Sequence, residues 1–120
     1  MFIRSLFECC GTVSVIDESQ MDAIVSVGGS SPAYVYLFVK SVIDSAVGQG
    51  IDSGTAFDII CQTICGSVEM LKKSGRTPEE LIKMVSTKGG TTAAAVDVFK
   101  KEHFEDIIDD AMKACTARTK

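Results

Sequence analysis

The sequence predicts an all-α protein, a helical bundle that packs against a second subunit and is preceded by a short helix–strand segment. Three observations lead there. From Glu18 onward, apolar residues recur at helical spacing between capping, glycine and proline signals. Two of the helices so marked are nearly free of charge around their circumference, and a chain of 120 residues is too small to enclose both. The stretch Thr12-Val13-Ser14-Val15-Ile16 alternates like a strand, yet the sequence offers it no partner strand.

The elements follow in order. Phe2, Leu6 and Phe7 make one helical stripe that Gly11 ends, and the strand-like stretch comes next. Residues 20–25 form a helix of turn length before the break Gly28-Gly29-Ser30-Ser31, where Ser31 is the expected cap and Pro32 the first helical residue. The second long segment runs to Gly48. Val35, Phe38, Val39, Val42 and Ala46 make one face, Tyr34, Leu37 and Ser41 a second, and only Lys40 and Asp44 are charged. A third helix opens at Asp52 or Ser53, closes at Gly75, and holds a run from Ile59 to Val68 without a charge. Two such helices call for a partner surface, most simply a second copy; the alternative is a monomer whose weakly polar faces meet water. Thr77-Pro78-Glu79-Glu80 combines a capping box with a first-position proline and starts a short helix ending near Met84. After Gly89-Gly90 come a helix with Thr92, Ala95, Val96 and Phe99 and a last one with Ile107, Ile108, Ala111, Met112 and Cys115 on one face.

Composition excludes several function classes. An apolar fraction of 46% with 23% charged residues is that of a globular protein, not of a disordered or collagen-like one. The net charge of −4 and the scattered Lys and Arg residues argue against a nucleic-acid surface. Residues 24–39 are too short for a membrane span and are broken by glycine and proline, so no membrane partner is expected. Cys9, Cys10, Cys61, Cys65 and Cys115 form no CxxC pair, and no signal peptide precedes them, which fits a reducing cytoplasm. Cys61 and Cys65 share a helix face, but with His103 as the only histidine they lack partners for a metal, and none is expected. His103 sits among charged surface residues, and the pairs Glu79-Glu80 and Asp109-Asp110 diverge around a helix, so neither makes a general acid and base.

The stretch with chemical potential is Thr87-Lys88-Gly89-Gly90-Thr91-Thr92, a glycine- and hydroxyl-rich loop that runs into a helix. Adjacent glycines can turn their N–H groups inward, a helix start adds unpaired donors, and threonine hydroxyls can donate as well, so a carboxylate or phosphate would fit. The plainer reading is a flexible joint with Thr91 as an N-cap.

At this point the residues resemble a family, the C-terminal dimerisation domain of pyrroline-5-carboxylate reductase. Asp22-Ala23 followed by Gly28-Gly29-Ser30-Ser31-Pro32-Ala33-Tyr34 is similar to the family pattern Asp-Ala-x-x-x-x-Ser-Gly-Ser-Gly-Pro-Ala-Tyr, with Gly28 and Ser31 as departures. Asp44, Gly50, Gln62-Thr63 and Met70-Leu71 fall in register, and Ala117-Arg118 resembles the close of the last helix. The family loop Ser-Pro-Gly-Gly-Thr-Thr is represented by residues 87–92, with Thr87 for serine and Lys88 for proline.

The resemblance implies an enzyme that reduces 1-pyrroline-5-carboxylate to L-proline with NAD(P)H, part of proline biosynthesis. It implies that residues 1–17 are the remnant of the end of a cofactor-binding Rossmann domain, and that residues 18–120 are the helical domain for dimerisation and substrate binding, a bundle that interlocks with that of a second subunit. Thr87, Gly89, Gly90, Thr91 and Thr92 are then expected to hold the substrate carboxylate, with Thr92 as the catalytic candidate beside the ring nitrogen. No cofactor is expected on this chain alone, which would be inactive by itself and form a homodimer or higher homo-oligomer. The alternatives are a non-catalytic helical dimerisation module from a truncated gene, or the helical domain of another two-domain dehydrogenase.

Overall fold

The computed structural model describes residues 2–119. Helix α1 (Phe2–Glu8) is followed, after residues 9–17, by a 3-10 turn (Glu18–Gln20), α2 (Met21–Ile24) and a π turn (Val25–Gly29). Then come α3 (Ser31–Gly48), α4 (Ser53–Lys73), α5 (Pro78–Val85), α6 (Thr91–Lys101) and α7 (Phe104–Arg118). The all-α expectation holds, and no strand forms among the described residues. Residues 12–17 have the alternation of a strand but no regular structure, because a ladder needs a second strand to take its N–H and C=O groups and the described residues supply none.

The element boundaries come from identifiable caps. The Asp52 carboxylate accepts the Thr55 N–H at 3.1 Å and starts α4. At its other end Lys72 and Lys73 occupy the last turn, and Gly75, at φ +72°, leads the chain away. Thr77 Oγ1 accepts the Glu80 N–H at 3.2 Å, and Pro78 is the first residue of α5; the expected capping box stays half formed, because the Glu80 carboxylate takes the Thr77 hydroxyl at 3.3 Å instead of the Thr77 N–H.

The start of α3 differs from expectation. Instead of a glycine break, α2 widens into the π turn, which the Ser30 N–H closes on the Val25 carbonyl at 2.8 Å. Ser30 then occupies the cap position without a side-chain cap, while the Ser31 hydroxyl, already inside α3, donates back to the Val27 carbonyl. The hydroxyl reaches an upstream carbonyl four residues away and so is not available to cap.

Helices α3 and α4, joined by a short connection through Gly50, pack as a hairpin, while α7 lies against α2 and the π turn and α6 folds onto α7. His103, at φ +60°, makes the corner between α6 and α7 in a left-handed conformation that only glycine adopts without cost. Cys115 Sγ donates to Ser30 Oγ at 3.2 Å, tying the last helix to the start of α3.

What the chain lacks is an enclosed interior. Among the described residues only Ala56 is a buried apolar side chain, and the other buried residue, Ser26, donates its hydroxyl to the Ala23 carbonyl at 2.6 Å. Leu37 is 64% exposed and Ile59 60%. The accessible surface of 9814 Å² compares with about 6,300 Å² expected for a compact monomer of this mass. The radius of gyration is 17.6 Å, against about 14 Å for a compact chain of this length.

Two apolar grooves flank α3. One, of about 670 Å³, is lined by Tyr34, Phe38, Ala46, Phe99, Phe104 and Ile107. The other, of about 590 Å³, is lined by Val35, Val39, Ile43, Phe57, Cys61 and Ile64. Helix α3 therefore presents two apolar faces, though grouped differently from the sequence reading. Phe38, Val42 and Ala46 side with Tyr34, Leu37 and Ser41 in the larger groove, and Val35 and Val39 turn toward α4.

The Thr77 cap gives a direct check on the local account. Thr77→Ala should lower stability by about 1 kcal/mol, read as a lower urea midpoint at unchanged slope. An unchanged midpoint would mean that the Thr77 cap contributes nothing to α5.

Candidate functional site

The loop between α5 and α6 is a tight turn. The Gly90 N–H donates to the Thr87 carbonyl at 2.8 Å, so residues 87–90 close a β-turn. Gly89 holds φ +77° at its third position, while Lys88 has no positive φ, which makes the turn type II. Such a turn requires glycine at the third position and favours proline at the second, because the ring presets φ there. Lys88 occupies that second position without the presetting.

Gly90 is needed for a different reason. Its backbone is extended, at φ −86° and ψ 174°, and a Cβ built on it would stand 3.0 Å from the Thr87 carbonyl oxygen that closes the turn. Gly89 has open space around its Cβ direction and is constrained by its φ alone. Two glycines in sequence thus answer separate demands, one conformational and one steric.

Gly90 is also the N-cap of α6 and carries no side chain to cap it; Thr91 is the first helical residue. The first helical bond runs from the Ala94 N–H to the Gly90 carbonyl at 3.2 Å. The amides of Thr91, Thr92 and Ala93 precede it and have no partner within the helix. With no acidic residue in the first turn, the positive end of the α6 dipole is uncompensated. Together these donors can hold an anion of carboxylate size.

All the residues anticipated for this site lie on that one turn and helix start. Thr87, Gly89, Thr91 and Thr92 are exposed, and Gly90 is half-buried. The Gly90 amide is spent on closing the turn, so its contribution is to shape. Sequence reasoning missed the half-buried Ala93, whose side chain carries no chemistry but whose N–H is the third at the helix start. Counting amides from the N-cap, once the N-cap is placed at Gly90, finds it. Ser86, immediately before the turn, encloses a hydroxyl with no hydrogen-bond partner.

The other candidates fall elsewhere. His103 is exposed at its corner, with Nδ1 3.6 Å from the Asp106 carboxylate. Glu80 serves the α5 cap, and Asp109 pairs with Lys113 at 2.6 Å on the outside of α7. The five cysteines are free, and among the described residues no group of His, Cys, Asp and Glu could hold a metal ion. No helix among them is long and apolar enough to cross a membrane. Tyr34 has its hydroxyl enclosed; burial raises the phenol above its ordinary pKa, and the neighbouring Cys115 adds to the shift.

Ser31 shows why glycine is dispensable at its position: it lies in the first turn of α3 without a positive φ. Gly28, within the π turn, has none either. The turn at Lys88 invites the opposite change. Lys88→Pro should stabilise the chain by about 0.5 kcal/mol by restricting the unfolded state. A lower midpoint in urea would show that the type II geometry is wrong.

Known proteins share this architecture. The family model for pyrroline-5-carboxylate reductase dimerisation matches residues 18–120. Pyrroline-5-carboxylate reductase of Haemophilus influenzae is 38% identical over 120 residues, covering 98% of this chain and 44% of the relative. That of Escherichia coli K12 is 35% identical over 117 residues, with 98% and 44% covered. Among solved structures, the Plasmodium falciparum pyrroline carboxylate reductase with NADP bound superposes with a TM-score of 0.92 at 34% identity, over 98% of this chain and 46% of that one. The Streptococcus pyogenes 1-pyrroline-5-carboxylate reductase does so with 0.92 at 29% identity, over 97% and 45%. The chain thus spans somewhat less than half the length of these relatives, and it corresponds to their C-terminal part. From its match to the family model, its helical architecture and its relatives' identity, the chain belongs to the pyrroline-5-carboxylate reductase family and carries its dimerisation domain.

Proposed function

We propose that this chain is the C-terminal part of an oxidoreductase that reduces 1-pyrroline-5-carboxylate to L-proline with NAD(P)H in the cytoplasm. In this reading it supplies the dimer interface and the substrate's carboxylate site. The observation that carries the proposal is the type II turn at residues 87–90 feeding the unpaired amides of α6, in a chain whose relatives bear that enzyme's name.

The substrate presents one carboxylate and one ring imine. The N–H groups of Thr91, Thr92 and Ala93 take the carboxylate at the positive end of α6, and Gly89 and Gly90 let the backbone come close enough. The Thr87 hydroxyl lies at the start of the same turn, beside the carboxylate. Thr92 then offers its hydroxyl to the ring nitrogen. A neutral hydroxyl is a weak acid, so its work is to orient the ring and to relay a proton from water. Holding the carboxylate fixes where C5 stands, and positioning is the larger share of what this chain contributes.

The nicotinamide cofactor supplies the hydride that C5 receives. The glycine turn of this chain follows a helix, not a strand, so it does not fit the diphosphate turn of a dinucleotide domain, and no cofactor is assigned to it. The cofactor belongs to a domain of which residues 1–17 form the end. The exposed apolar stripe of α1, the unpaired residues 12–17, and a family match that starts at residue 18 support this boundary.

A second copy covers the two grooves beside α3. Surface in excess of a compact monomer by about 3,500 Å² is at least the share that one subunit contributes to a large obligate interface. Helix α3, apolar on two faces, is then enclosed between its own chain and the partner's.

Binding can be tested on the chain itself. Calorimetric titration with L-proline should give saturable binding, and Gly90→Val should weaken it at least tenfold while assembly is kept. Assembly without any proline binding would favour the non-catalytic dimerisation module. In the chain combined with a cofactor-binding domain, Thr92→Ala should lower kcat about tenfold or more, the worth of one hydrogen bond made at the transition state, and Thr92→Ser should restore most of it. Full turnover by Thr92→Ala would remove that residue from the mechanism.

A further inference from the structure

We draw no further inference here: the strongest candidate, the apolar groove of about 670 Å³ between α3 and the α6–α7 pair, restates the dimerisation already ascribed to the family, and nothing else in the structure shows another occupant for it.

Discussion

Helix α3 must bury two apolar faces, and a chain of this length cannot do that alone. A helix with one apolar stripe finishes its packing against a single neighbour; one with two needs bodies on both sides. Here α4 takes part of one side, and the α6–α7 pair stands across a groove on the other. The result is an open frame with Ala56 as its one buried apolar side chain among the described residues. Such a frame collects little of the hydrophobic burial that is the main term offsetting the entropy of ordering the chain.

The candidate site rests on the same frame. The donors that face an anion there are backbone amides, which places the burden of that grip on conformation instead of on side-chain identity. Gly89 meets the demand for a positive φ, Gly90 the demand for space beside the Thr87 carbonyl, and the start of α6 provides donors that no neighbour has taken. This explains how Lys88 can stand in the turn's second position: proline is favoured there for its preset φ, but the geometry does not require it.

Much of this could be read from residue types because the relevant physics is local. The Asp52 and Thr77 caps, the proline at the start of α5 and the glycine after α4 each act within a few residues, and each forms as expected. The loop at residues 87–92 stands out for the same reason. Elsewhere, outcomes depended on competition between groups. Ser31 was the expected cap, but its hydroxyl found the Val27 carbonyl and left the cap position to Ser30. Gly28-Gly29 was expected to break the helix and instead accommodated a wide turn, since neither residue takes a positive φ. Alternation made residues 12–16 look like a strand, but pairing is a property of two segments and only one is here. The left-handed His103 is not legible in the sequence, because histidine, although enriched among non-glycine residues at positive φ, takes that conformation too seldom to mark a corner.

The central claim is that the open face of α3 is covered by a second copy of the chain. Sedimentation equilibrium at micromolar concentration measures this directly. The account predicts a mass of twice 12.8 kDa or a higher multiple, with no stable folded monomer on dilution. A folded species of 12.8 kDa, with the radius of gyration of a compact chain instead of 17.6 Å, would contradict it.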